Sequence, residues 1–122
     1  MEPDFDAPDY SLRYEKEVRS NALVVHCRGG FSLVNHALLD RIVADVKSAP
    51  ERMIVLNLGG IRFMDSVGVG SLAAILKHTM ANGLDLVLVS NDIVDQVLSA
   101  ASLNQVLRTA RSLEEALRKA AP

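Results

Sequence analysis

A chain of 122 residues with 49% hydrophobic and 23% charged residues is sized for one globular domain with a sizeable core and is too short for two. Its 13 lysines and arginines are scattered among 15 acids, for a net charge of −2, which excludes the clustered positive face that a nucleic-acid backbone requires. No apolar run reaches the length of a membrane span, and the acidic start Met1 to Asp9 lacks the layout of a signal peptide, so the expectation is a cytoplasmic protein with no direct membrane insertion and no nucleic-acid partner.

Residues 1–10, with two prolines and little apolar pattern, read as a flexible N-terminal arm ahead of a single domain at 11–120. Ser11 to Val18 alternates polar and apolar residues, and after a turn at Ser20-Asn21 the run Ala22 to Arg28 is dense in β-branched residues, so a β-hairpin is predicted. The only cysteine, Cys27, falls in an apolar run and reads as a buried strand position. Gly29-Gly30 reads as a break in the pattern. Leu38, Leu39, Ile42, Val43 and Val46 then recur at helical spacing, predicting an amphipathic helix that ends near Ala49-Pro50. Met53 to Leu58, between Pro50 and Gly59-Gly60, reads as a central strand covered on both faces.

A second helix follows Asp65-Ser66, with Val69, Leu72, Ala73, Leu76 and Met80 as its expected apolar stripe and Asn82-Gly83 as its stop. Leu84 to Val89 is another buried strand. Asn91 or Asp92 caps a third helix bearing Ile93, Val97, Leu98 and Ala101, Val106 to Ala110 suits a short edge strand, and Ser112 with Glu115 forms a capping box for a fourth helix. The fold class is therefore α/β: a mixed sheet of four to five strands packed against about four helices.

The junction between the central strand and the second helix is the candidate site. Gly68 and Gly70 both fall at the start of that helix, where a glycine costs up to about 1 kcal/mol relative to alanine. The expected compensation is access, with the glycines leaving the backbone around Ser66 open to another surface. A helix N-terminus also favours an anion, and a phosphoryl group on Ser66 would add about −1.5 to −2 charges there. The plainer reading is that Ser66, or Asp65, simply caps the helix.

The stretch Ile54-Val-Leu-Asn-Leu-Gly-Gly-Ile-Arg-Phe-Met-Asp65-Ser66-Val-Gly68-Val-Gly70 resembles the signature of STAS domains, in which an apolar strand leads to Asp-Ser-x-Gly-x-Gly at a helix start. The likeness extends in order from about Leu12 to Leu117, through the Leu-Val-Leu-Val strand at Leu86 to Val89. The resemblance, to the anti-sigma factor antagonist branch, implies that Ser66 is phosphorylated by an anti-sigma factor serine kinase and reset by a phosphatase. Unphosphorylated, such a protein binds the anti-sigma factor and releases the sigma factor. The implied partner-binding residues are Asp65, Ser66, Val67, Gly68, Val69 and Gly70, together with Ser32, which stands where many antagonists carry an acid facing the phosphorylation loop. Ser102 likewise stands where a glycine is common. The alternative is a structural STAS subunit of a lipid-transport ABC system or a stress-sensing scaffold, without phospho-control.

Enzymatic readings fare worse. Gly68-Val69-Gly70-Ser71 lacks the lysine and spacing of a Walker motif, and Met64 to Gly68 lacks the leading glycine of a nucleophile elbow. His26, His36 and His78 lie on different elements without ligand spacing, so neither a metal nor any other cofactor is expected.

Overall fold

The computed structural model describes residues 10–120; of the expected N-terminal arm, residues 1–9 lie outside them. The elements run β1 (Arg13–Arg19), β2 (Ala22–Phe31), α1 (His36–Ser48), β3 (Met53–Met64), α2 (Ser66–Ala81), β4 (Asp85–Val89), α3 (Asp92–Ala100), β5 (Arg108–Ala110) and α4 (Leu113–Ala120). Their 5-stranded sheet has the order β1-β2-β3-β4-β5, with β1 antiparallel to β2 and the remaining pairs parallel.

Ser20 and Asn21, both at positive φ (54° and 66°), make the left-handed two-residue turn that matches the twist of a hairpin. The crossovers then place α1, α2 and α3 on one face of the sheet. There Leu39, Ile42, Leu72, Ile75, Val94 and Leu98 close over the inward residues Val25, Leu56 and Leu88. Among the described residues the helix on the second face is α4, whose Ala116 and Ala120 pack on Val24, Val55, Val87 and Val89. Half of the Ser112–Glu115 box closes as expected, the Ser112 hydroxyl accepting from the Glu115 N–H at 3.1 Å, while the returning Glu115 carboxylate accepts from the N–H of Arg111, one residue before the cap, at 3.0 Å. Cys27 is buried, and burial pushes its thiol up to about 12.

Two glycine pairs behave differently from their reading as strand ends. Gly29-Gly30 lies inside β2, and Gly59-Gly60 lies inside β3. At Gly29 the φ is +101°, and a Cβ there would stand 1.9 Å from the Ser11 carbonyl oxygen; at Gly30 it would stand 2.4 Å from that of Tyr10. The pair is thus a seat for the backbone entering β1, and register shifts on either side of Gly29 let β2 continue to Phe31. The β2–β3 pairing is therefore carried to Phe31–Met64, which brings both strand ends to the start of α2.

The α2 stripe is also displaced from expectation. The residues it buries are Gly68, Leu72, Ile75 and Thr79, whereas Met80 is 71% exposed. The helix is apolar around most of its circumference, so periodicity selects no single stripe, and the core accepted a glycine and a threonine whose hydroxyl bonds the Leu76 carbonyl. On α3, Val94 and Leu98 are buried while Ile93 and Ala101 face outward.

Asn91 rather than Asp92 caps α3. Its Oδ1 accepts from the Val94 N–H at 2.8 Å, and its Nδ2 donates to the carbonyls of Gly59 at 3.1 Å and Ile61 at 2.8 Å. The side chain closes a helix and ties down the irregular stretch of β3 at once. Asn91→Ala should lower stability by about 2 kcal/mol, a lost cap plus carbonyls left without a donor. Urea denaturation checks this; a loss no larger than that of an exposed Asn→Ala change would show that water replaces the side chain.

Candidate functional site

The chain turns from β3 into α2 at Asp65, an extended residue (φ −115°, ψ −172°) in the N-cap position. Asp65 Oδ1 accepts from the N–H groups of Val67 at 3.0 Å and Gly68 at 3.2 Å. Its Oδ2 accepts from the Leu33 N–H at 3.0 Å. One carboxylate thereby joins α2 to the turn that follows β2. Its own N–H donates to the Phe31 carbonyl at 3.3 Å, completing the connection. Burial pushes the Asp65 carboxyl up, but the backbone donors Leu33, Gly68 and Val67 outweigh it and leave the group below the ordinary aspartate range.

The cap therefore belongs to Asp65, and Ser66 is released from it. Ser66 is the first residue of α2, it is exposed, and its hydroxyl has no hydrogen-bond partner among the described residues. The expectation that free helix N–H groups would receive an anion at this turn needs correcting, because those of Val67 and Gly68 are bonded to Asp65 Oδ1 and that of Val69 to the Asp65 carbonyl. A charge placed on Ser66 meets the helix dipole but also the neighbouring carboxylate.

The two glycines separate. Gly70 is exposed, and a Cβ there would meet nothing within 4 Å. Gly68 is buried, and a Cβ would stand 2.0 Å from the Phe31 carbonyl oxygen and 3.1 Å from Met64 Cγ. Its glycine is required by packing of α2 on the end of β2, so the access expected of it is supplied by Gly70 alone. Val67 and Val69 are half-buried against the main core. Ser32 is 2% exposed, and its hydroxyl has no hydrogen-bond partner among the described residues. Ser32 and Gly68 thus lie beneath the surface and shape it, while Ser66 and Gly70 present it.

Exposed apolar side chains that the sequence reading passed over lie on the segments that meet Asp65. Leu33 is 59% and Val34 81% exposed, on the short 3-10 turn Leu33–Asn35 that Asp65 anchors. Phe63 stacks on Tyr10 with ring centroids 5.0 Å apart, and Asn35 Nδ2 donates to the carbonyls of Tyr10 and Gly30, both at 2.8 Å. Two adjacent large apolar residues directly after a buried serine were the signal in the sequence, since no periodicity accounts for them. The turn that Asp65 holds next to the start of α2 thus exposes Leu33 and Val34, and exposed hydrophobic groups of this kind suit contact with another protein.

Among the described residues no group of three or more His, Cys, Asp or Glu side chains could hold a metal ion, and no helix is long and apolar enough to cross a membrane. His26 instead bridges Glu17 at 2.6 Å and Asn57 at 2.9 Å on the sheet.

The model of the STAS domain family matches residues 13–116. Among solved structures, an anti-sigma factor antagonist from Mycobacterium paratuberculosis superposes with a TM-score of 0.82 at 20% identity, covering 90% of this chain and 94% of that one. The Bacillus cell fate determinant SpoIIAA in its phosphorylated form gives 0.68 at 19% identity, covering 89% and 100%. A sulfate transporter family protein from Wolinella succinogenes gives 0.71 at 21% identity, covering 86% and 88%. At such identities the likeness is one of fold.

Proposed function

Because the chain belongs to the STAS domain family, we propose that it is an anti-sigma factor antagonist that acts by partner switching, non-enzymatic itself and cytoplasmic. Unphosphorylated, it docks on an anti-sigma factor through the surface around Ser66. Phosphorylation of Ser66 by that factor's serine kinase activity dissociates the pair, and a phosphatase restores it.

The supporting observation is the exposed Ser66 hydroxyl, freed by Asp65 from any capping duty. A serine needed as a cap could not be esterified without loosening α2; this one can. A phosphate there lies beside the Asp65 carboxylate, whose two oxygens already accept three N–H bonds. Its charge is therefore directed outward, at the start of α2 beside the turn that bears exposed Leu33 and Val34. Bringing an apolar partner surface onto this region would require stripping water from a dianion, so affinity falls while the fold persists. The phosphorylated form of SpoIIAA keeps the same fold, which agrees with a switch in binding rather than in structure.

The test is direct binding of purified anti-sigma factor, recovered with the unphosphorylated chain as bait, to wild type, Ser66→Ala and Ser66→Asp. Wild type and Ser66→Ala should bind alike, and Ser66→Asp at least tenfold more weakly, equivalent to about 1.4 kcal/mol. Equal binding by Ser66→Asp, or recovery of the same transporter subunits by both baits, would remove phospho-control and leave a structural STAS subunit.

A further inference from the structure

Between His26 and Arg28 the β2–β3 pairing loses its regular register. His26 pairs with Asn57 and Arg28 with Gly60, so two steps along β2 face three along β3, and Leu58 and Gly59 have no partner in the register. An extra residue of this kind falls out of the ladder. The Gly59 N–H donates instead to a side chain, Asn57 Oδ1, at 3.1 Å. Because a backbone N–H can only donate, the Asn57 atom facing it is the oxygen, and the other end of that amide, Nδ2, faces His26 Nδ1 at 2.9 Å. An amide nitrogen donates too, so in the neutral ring Nδ1 is the bare, accepting nitrogen. The proton then sits on Nε2, which donates to the Glu17 carboxylate at 2.6 Å. One row of bonds thus runs from Gly59 on β3 to Glu17 on β1, each bond fixing the direction of the next.

We propose that His26 is a proton-sensitive latch on this bulge: the neutral ring holds the Asn57 amide in the orientation that fastens Gly59, and the protonated ring forces that amide to give up one of its two bonds. A proton added to His26 goes to Nδ1, where it points at the Asn57 NH2 group, donor against donor. Turning the amide over offers Oδ1 to the ring but sets the NH2 group against the Gly59 N–H, so in either orientation one bond is lost. The change is confined to that side of the ring. Glu17 is held below the ordinary glutamate range, first by its bond from His26, so it stays ionised where histidines titrate and keeps the Nε2–H in both states.

Water supplies the proton, since the His26 side chain is 31% exposed. Acids and cations both face the ring: Glu15 stands directly opposite on β1, Arg19 shares Glu17, and Arg13 and Arg28 line the same cavity. Tyr14 and Cys27 of that lining pack with the main core, the Tyr14 hydroxyl donating to Asp45. α4 meets the neighbouring Val24 and Val55 with Ala116 and Ala120. Once Gly59 is released, the side chain still tying this stretch among the described residues is Asn91, through the Gly59 and Ile61 carbonyls. The loosened segment is therefore the one that leads along β3 toward Asp65.

NMR of the full chain tests the latch. A long-range 1H–15N correlation at about pH 8 should show the neutral His26 ring protonated at Nε2 and bare at Nδ1. Between about pH 8 and pH 5 the Gly59 amide and the Asn57 side-chain NH2 group should shift with the same midpoint as the His26 ring. Over that range Gly59 hydrogen exchange, corrected for its intrinsic pH dependence, should rise about threefold or more. In Asn57→Ala, which keeps the imidazolium charge but removes the amide, this rise should disappear. A neutral ring protonated at Nδ1, an Asn57 NH2 group that does not follow the ring, or the same rise in Asn57→Ala would overturn the proposal. The first two are read in the wild-type protein and decide the matter whether or not the variant folds.

Discussion

Gly68→Ala is expected to destabilise the protein by about 3 kcal/mol, and Gly70→Ala, two residues along the same helix, to stabilise it by up to about 1 kcal/mol. By propensity alone both changes help, since alanine is the better helix former. At Gly68 the gain is reversed because the new methyl would stand 2.0 Å from the Phe31 carbonyl oxygen and 2.9 Å from its carbon. Backbone cannot rotate away as a flexible side chain does, so the start of α2 must lift from β2 to relieve the overlap. That movement strains the Asp65 N–H bond to Phe31 and the Leu33 N–H bond to Asp65. Gly70 has open space and only the propensity term applies. Urea denaturation of both variants measures the difference directly, with the melting point of Gly68→Ala falling by roughly 10 °C. A Gly68→Ala protein as stable as wild type would mean that α2 is not seated on β2 as described.

The second large effect is at Asp65. Replacing it by alanine strands the N–H groups of Val67 and Gly68 at the start of α2 and releases Leu33, for a loss of about 2 kcal/mol. An asparagine side chain in place of the acid keeps one carbonyl oxygen for the cap, so Asp65→Asn should lose about half as much, chiefly through the Leu33 link. Amide exchange at Leu33 separates the two contributions, rising in both variants, while exchange at Val67 and Gly68 rises only in Asp65→Ala. The pH dependence follows from the sign of the shift. The folded carboxyl sits below the unfolded aspartate value of about 3.9, so the unfolded chain binds the proton first. Its contribution is complete above that value and is lost as pH falls through the lower, folded one. Between neutral pH and about pH 3 the stability of Asp65→Asn should therefore decline less steeply than that of wild type. Parallel decline in the two proteins would show that the carboxylate is not held by these donors.

Much of the architecture is legible in the chain because local and tertiary preferences agree there. Ser20-Asn21 marks a hairpin turn, Asn82-Gly83 stops α2, and Ser112 with Glu115 opens α4; each is decided within a few residues. The glycine pairs are not, because what fixes them is distant. Gly29-Gly30 accommodates the backbone of Tyr10 and Ser11, and Gly60 accommodates Arg28, contacts that no window around either pair contains. The same holds at the site. The Asp65-Ser66 motif is visible, but which of the two caps the helix depends on a bond from Leu33 across a separation of 32 residues. Val34 and Leu33 are exposed for that reason too, since the 3-10 turn bearing them is held by Asp65 rather than by burial of its own apolar groups.

The division of labour at this turn has a consequence for how the protein can change over time. With the helix start held by residue 65, residue 66 is free to vary at little cost to folding. Under the proposed switch, serine to alanine is expected to give a chain fixed in the binding-competent state, and serine to glutamate one fixed in the released state, each by a single substitution in an otherwise intact domain. On that proposal, regulation can be gained, silenced or made permanent at one position while the scaffold stays under separate selection.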